Sequence, residues 1–319
     1  MVAPQSRLTR ALQTAALLAF APALAGGAPV PARFMVVETG RNYSSLAGAV
    51  GAIGNGKGTV LIAPGLYRQC AVQSGGNVTY RAENSGSVIF DGITCEGKAA
   101  LVLRGAAATV DGIVFQNLRV PDGNGAGIRL ERGDLTVSNS LFRASEEGIL
   151  THDDPHATIR VDHSVFSRLG RCDRGLDCAH SIYVGQYGQL IVTNSRFEAG
   201  TGGHYIKSRA ARVDITGNRF DDGAGAHTNY MIDLPNGSAG RIVDNMMMQG
   251  RNKDNYSAFI TIAPEGRMRD SSGLDIRGNT AGFVAGLQRK STFVANWTED
   301  TPTISQNRLN MGIKVTDLR

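Results

Sequence analysis

Seven segments of this 319-residue chain follow one scheme: alternating apolar residues, a small polar residue, then an apolar residue two positions on. They are LTVSNSLF (135–142), IRVDHSVF (159–166), LIVTNSRF (190–197), VDITGNRF (213–220), RIVDNMMM (241–248), LDIRGNTA (274–281) and PTISQNRL (302–309). With Ser140, Ser164, Ser195, Asn218, Asn245, Asn279 and Asn307 aligned, the copies lie 23 to 34 residues apart, and ATVDGIVF (108–115) is an earlier one. A second set of short strands, GIRLE, GILTH, SIYVG, YIKSR, MIDLP and FITIA, brings Ile128, Ile149, Ile182, Ile206, Ile232 and Ile260 round in step with the first. Two or three short strands per turn, with loops of scattered length, predict a β-solenoid in which each turn stacks on the last. Asn-Gly hairpin signals are too few to pair these strands antiparallel, and propeller blades carry four strands over a longer repeat.

The stretch SSLAGAVGAIGNGKGTVLIAPGLYRQ, followed by NVTYRAENSGSVIFDG, resembles the opening of right-handed parallel β-helix proteins of the pectate-lyase-like superfamily. The likeness covers nearly the whole chain after residue 25, and the HSIYVG, GHYIKSRA and DLPNG pattern is similar to a group of exported bacterial β-helix proteins. The resemblance implies an all-β, right-handed parallel β-helix with a short N-terminal capping helix at residues 44–53. Local chemistry agrees: Ser44 or Ser45 is a suitable N-cap, and Leu46, Val50 and Ile53 form an apolar face. Stacked coils otherwise leave their end strands open, so a cover is required. The expected division is a signal peptide at 1–25, an N-terminal segment and capping helix at 26–58, and the parallel β-helix at 59–319.

The export signal is read from Arg7 and Arg10, the short apolar run from Ala11 to Ala21, and the small residues Ala23 and Ala25 at a cleavage site. The expected location is periplasmic or secreted, without membrane insertion, since no other apolar stretch is long enough to span a bilayer. Loss of the two arginines takes the formal charge from +5 to +3. Such a mild excess does not point to nucleic acid, which calls for a basic stripe interleaved with aromatics. It suits an acidic polysaccharide held at one local site. Four cysteines in an exported chain invite disulfides. Cys172 with Cys178 and Cys70 with Cys95 are one of three connectivities, and no segment fixes an oligomeric state.

Equivalent residues on successive coils form columns about 4.8 Å apart. The position after each isoleucine reads Arg129, Leu150, Tyr183, Lys207, Asp233, Thr261, and two further on it reads Glu131, His152, Gly185, Arg209, Pro235, Ala263. Alternation puts both columns outside the coil. Two positions before the isoleucine the column reads Ala126, Glu147, His180, His204, Tyr230, Ala258. Parity turns this column inward, so only a kink at strand entry presents it to the same face. Three consecutive coils then share His180, Tyr183, His204, Lys207, Arg209, Tyr230 and Asp233, and the next coil is nearly bare of such groups. The insertions at 167–180 and 221–229 are placed to wall a groove.

Removing the proton beside a uronate carboxylate requires cations on the carboxylate and proton-transfer groups across the sugar ring. Arg209 has the planar fork for a carboxylate, and Lys207, beside a second cation, is the candidate base. Tyr183, Tyr230, His180 and His204 are candidates for the remaining proton transfer. Asp233, Asn236, His152 and Arg129 are candidate substrate-binding residues. Polysaccharide lyases and C5-epimerases of the superfamily work on such a face, so the resemblance implies a lyase or epimerase acting on a uronate-containing polysaccharide. A glycoside hydrolase is less well supported, because it requires two carboxyl groups across the bond and the patch offers one obvious carboxylate, Asp233, with Asp221 and Asp222 as candidates to supply others from a loop. A non-catalytic glycan-binding or adhesin-type β-helix is the other alternative; it calls for aromatic platforms, and only Tyr183, Tyr187 and Tyr230 are at hand.

No cofactor is expected, with one alternative: Asp153 and Asp154 of THDDPHA, with Asp173 or Asp177, as a calcium set of the kind several β-helix lyases carry. A turn rich in Asp and Pro is the ordinary reading of that segment, and His156 stands between turn and site. The Ser140–Asn307 series is read as a structural ladder, Phe142, Phe166, Phe197 and Phe220 as an internal stack, and Met246 to Met248 as core filling. Lys207 and Asp233 on a solvated face make at most a weak ion pair.

Overall fold

The computed structural model describes residues 1–2 and 33–319, so the expected export signal lies outside the described residues. Each complete coil contributes one short strand to each of three sheets of 12, 10 and 10 strands. A representative coil runs Asp134–Ser138 in the first sheet, Leu141–Arg143 in the second and Glu147–Thr151 in the third. Neighbouring coils pair in parallel, and the chain is a right-handed parallel β-helix. No helix among the described residues is long and apolar enough to cross a membrane.

The entry end is closed by Phe34–Val36 and Arg41–Tyr43, which pair antiparallel at the edge of the first sheet, and by the helix Leu46–Ile53. Of the two serines, Ser45 is the N-cap: its Oγ accepts from the Gly48 N–H at 3.1 Å. The helix buries Leu46, Ala49 and Val50 over the first coil, which removes an open apolar end from water.

The columns expected from the repeat are the hydrogen-bonded register. Ile128, Ile149, Ile182, Ile206, Ile232 and Ile260 pair successively in the third sheet, and all are buried. Phe90, Phe115, Phe142, Phe166, Phe197 and Phe220 stack along the inside of the second sheet with ring centroids 4.9–5.8 Å apart. Met247 continues that column beyond Phe220, whereas Met246 is exposed; alternation within Met246–Gln249 allows only one of that pair to fill the core. The small polar series forms a continuous ladder. The Ser140 N–H donates to Ser164 Oγ at 3.2 Å, Ser164 to Ser195 Oγ at 3.1 Å, Ser195 to Asn218 Oδ1 at 2.9 Å, and the pattern runs on through Asn245 and Asn279 to Asn307. Both disulfides, Cys70–Cys95 and Cys172–Cys178, are formed.

Candidate functional site

The kink demanded by the histidine column is present. Tyr205 and Ile206 are consecutive and both lie in the core, as do Met231 and Ile232. Two inward residues in succession break the alternation of the strand, so the residue before them, His204 or Tyr230, turns outward. Tyr205 is drawn in because its ring packs against Phe197 and Phe220 while its hydroxyl donates to buried Asp222 Oδ1 at 2.7 Å. Gly203 makes the turn with φ +61°, and a Cβ there would sit 2.0 Å from the Ala179 carbonyl oxygen, so only glycine fits.

Two rows therefore share the outer face of the third sheet. In one, Leu150, Tyr183, Lys207, Asp233 and Thr261 are paired rung to rung. In the other, the rings of His180, His204 and Tyr230 stack at 5.1 and 5.4 Å. The two histidines are almost wholly covered: the His204 N–H donates to His180 Nδ1 at 3.0 Å, and His204 Nε2 faces Asp233 Oδ2 at 3.5 Å. Burial pulls His180 well below the usual imidazole range. It also pulls His204 down to about 4, with Lys207 and Lys253 acting the same way and Asp233 opposing. Both rings are neutral supports beneath the face, and Tyr230 Oη is held by Asn255 Nδ2 at 2.7 Å.

Above this layer Lys207 and Arg209 converge. Arg209 Nε donates to Tyr183 Oη at 3.1 Å, and its Nη1 donates to Asn236 Oδ1. Asn236 in turn holds the 263–269 loop through Gly266 O at 3.1 Å. That loop brings in Glu265, whose carboxylate takes Lys207 Nζ on Oε1 at 2.5 Å and Arg209 Nη2 on Oε2. Burial raises the Glu265 carboxyl, but the hydrogen bonds from Lys207 and Arg209 outweigh it and hold the group below its ordinary value. Lys207 also lies 3.8 Å from Asp233 Oδ2. Asp233 is 2 % exposed and accepts from Thr261 Oγ1 at 2.6 Å, so the pair belongs to a buried network rather than to a solvated face.

The face continues over the preceding coils into a cleft of about 330 Å³. Asn124, Arg129, Glu147, His152, Asp177 and Tyr183 line it, together with Cys178 of the 172–178 disulfide loop. The 167–180 insertion thus walls this end. The 221–229 insertion instead buries Asp222 and pairs with Asn252–Lys253. Glu147 is 1 % exposed; its Oε1 accepts the His180 N–H at 3.1 Å, while Oε2 has no partner. Desolvation raises its carboxyl well above the usual range. Arg129 Nε is likewise buried and unpartnered. Farther toward the N-terminus, Ala99, Val102, Ala126 and Leu150 form a small apolar cluster against which Val72, Cys95 and Tyr183 pack.

All ten residues singled out from the sequence stand on this one face. Lys207, Arg209, Tyr183, Asp233, Asn236, His204, His180 and Tyr230 form one connected cluster, whereas Arg129 and His152 belong to the cleft beside it, which Tyr183 also lines. Glu265 was missed because it arrives on a loop from the coil that otherwise looked bare. Glu147 stood in the pre-strand column one rung before His180, which was the available signal. Tyr187 is no platform, since its ring is fully buried in the core. The carboxylates of Asp153, Asp154 and Asp173 in the candidate calcium set have partners within the fold. Asp154 accepts the Gly133 and His156 N–H groups, Asp153 the Gln186 N–H, and Asp173 is paired to Arg171. Among the described residues no group of three or more His, Cys, Asp or Glu side chains suits a metal ion.

No family model and no curated protein matches this chain. Solved structures do. A protein of Geobacillus virus E2, ORF18, is similar over 85% of this chain and 57% of its own, at 12% identity and TM-score 0.55. The chain thus spans little more than half of that protein's length. The parallel β-helix fold is shared. The pectin methylesterase of Aspergillus niger matches this β-helix over 82% of the chain and 88% of its own, at 12% identity and TM-score 0.55. A variant of the PL6 family alginate lyase AlyGC matches 79% of it with 36% of its own length, at 16% identity and TM-score 0.52. At these identities the likeness is one of fold, and the chemistry of this β-helix rests on its own side chains.

Proposed function

We propose that this is an exported polysaccharide-active enzyme that removes the C5 proton of a uronate residue, as a lyase or as a C5-epimerase. One observation carries the reading: Lys207 and Arg209 together already hold a carboxylate, that of Glu265. A lysine and an arginine fork converging on one carboxylate are what a uronate requires, both for binding and for stabilising the charge that develops when C5 is deprotonated. The uronate carboxylate exchanges for Glu265, whose side chain is 42% exposed and sits on a loop. Tyr183 Oη already accepts the Arg209 Nε–H, which leaves its own hydroxyl proton free for transfer.

In elimination, the C5–H electron pair becomes the C4–C5 double bond, the C4–O4 bond breaks, and the departing O4 receives a proton. Tyr183 Oη accepts the C5 proton as its own hydroxyl proton passes to O4, so the tyrosine ends the step as it began. In epimerisation no bond to O4 breaks: the C5 proton leaves through Tyr183 to solvent, and a water on the other face supplies the new C5 proton. The buried layer of His180, His204 and Asp233 positions Lys207. Hydrolysis fits less well, because the one carboxylate of the clamp strand, Asp233, is buried beneath Lys207. The pectin methylesterase and the alginate lyase that share the fold act, by their names, on acidic polysaccharides, in keeping with this reading.

The test is incubation of the purified protein with a panel of uronate polymers. Unsaturated product absorbing in the ultraviolet identifies a lyase, and solvent deuterium entering an uncleaved polymer identifies an epimerase. Lys207→Ala and Arg209→Ala are expected to raise KM, and Tyr183→Phe to lower kcat with KM little changed. Lys207→Ala lowering kcat alone makes Lys207 the base instead. Retention of polymer without either reaction leaves a glycan-binding β-helix and ends the enzyme reading.

A further inference from the structure

We propose that the cleft between Arg129 and Tyr183 is a second carboxylate subsite, which seats another uronate residue of the same polymer chain whose reacting residue occupies the Lys207–Arg209 clamp. This rests on the reading of the clamp given above.

Two polar atoms carry the proposal. Glu147 Oε2 and Arg129 Nε are both buried and both without a partner, and their side chains line the same cleft of about 330 Å³. A buried polar atom left unpaired is costly, so two in one cavity mark a place where something else supplies the partner. The two do not satisfy each other. Glu147 is anchored by its other oxygen, Oε1, on the His180 N–H. Its desolvated carboxyl keeps its proton beyond the ordinary carboxylate range. Oε2 is therefore an O–H donor, and Arg129 Nε is an N–H donor carrying positive charge.

Two donors and one positive charge match a carboxylate rather than a sugar hydroxyl. Asp177 on the rim is free to accept ring hydroxyls. Tyr183 belongs to both places, lining the cleft and holding Arg209 at the clamp. Arg129, Leu150, Tyr183 and Lys207 are consecutive rungs, so the backbones of Arg129 and Lys207 stand roughly 14 Å apart, three strand spacings. That span exceeds a single sugar ring. The ligand is an oligouronide read at two carboxylates.

Calorimetric titration of the full chain tests this with three probes: an oligouronide long enough to span the groove, the same oligomer with its carboxylates reduced to alcohols, and a monomeric uronate. The oligouronide is expected to bind at least tenfold tighter than either of the others. Arg129→Met weakens the oligouronide about tenfold and leaves the monomer unchanged. Glu147→Gln retains affinity, because the amide still donates and its oxygen still accepts from His180, whereas Glu147→Ala loses about tenfold. Should Glu147→Ala fail to fold, Arg129→Met decides. Wild-type affinity in Arg129→Met, with Lys207→Ala weakened for every uronate, overturns the second subsite and leaves the clamp standing. Equal binding of the carboxyl-reduced oligomer also overturns it. Unchanged binding in Lys207→Ala removes the clamp reading and this inference with it.

Discussion

If Glu265 occupies the place of the substrate carboxylate, deleting an acidic residue from the site strengthens binding. Glu265 makes two ion pairs, with Lys207 Nζ at 2.5 Å and with the Arg209 fork, and its side chain is 42% exposed. Partly solvated pairs are each worth about 0.2–1 kcal/mol, so displacing both costs an incoming carboxylate about 0.5–2 kcal/mol. Glu265→Ala removes that competition and is expected to lower the Kd for oligouronides about two- to thirtyfold, and to lower KM with it. The lost pairs lower stability by no more than the same amount, which melting measures separately. Added salt narrows the difference between variant and wild type, because the internal pairs are screened together with the ligand's. Because Lys207 and Arg209 hold the Glu265 carboxyl below its ordinary value, mild acid does not open the clamp. Unchanged or weaker binding in a folded Glu265→Ala protein refutes the reasoning. Lost turnover at unchanged Kd instead makes Glu265 a catalytic group.

Asn245→Ala tests the ladder: Asn245 makes four buried hydrogen bonds, with Asn218 N and Nδ2, Ile215 O and Asn279 Oδ1, so urea unfolding should show a loss of about 3–5 kcal/mol. Asn245→Ser, the residue used at this position by the coils of Ser140, Ser164 and Ser195, should cost less. His204 gives a pH signature, since its folded value of about 4 lies below the usual 6.5. The unfolded chain binds the proton first, so this stability is complete above about pH 6.5 and is lost as pH falls toward 4, amounting to about 3 kcal/mol. Glu147, raised by burial, has the opposite sign and loses stability as pH rises above the ordinary carboxylate range. The comparison is therefore between wild type and His204→Asn at each pH. A melting temperature that falls equally in both across that window refutes the assignment.

The columns could be read from the sequence because a solenoid converts a period along the chain into adjacency in space. Ile128 to Ile260, and Tyr183, Lys207 and Asp233 beside them, required only counting. The histidine row was harder, since its orientation depends on Tyr205 being drawn inward by Asp222 and the phenylalanine stack, contacts made with other parts of the fold. Tyr187, counted in the sequence only as an available aromatic, lies in the core beside the register shift between Asp154 and Thr158 on the neighbouring strand.

Glu265 lay beyond any such counting. Nothing in the repeat says how far a loop after one coil folds back over its predecessors, and here it reaches from the coil of Thr261 to the coil of Arg209. The same holds for the 172–178 loop that overhangs Arg129 and Glu147. In this fold the strands fix the spacing between polar groups, while the insertions decide which of those groups are dry. Unpaired Arg129 Nε and Glu147 Oε2 gain their significance from that dryness, because in open water both atoms would be solvated and neither would require a ligand. A chain with the same repeat but a shorter 167–180 insertion would keep the clamp and lose the second carboxylate, so polymer recognition in such β-helices varies with loops that the period does not record.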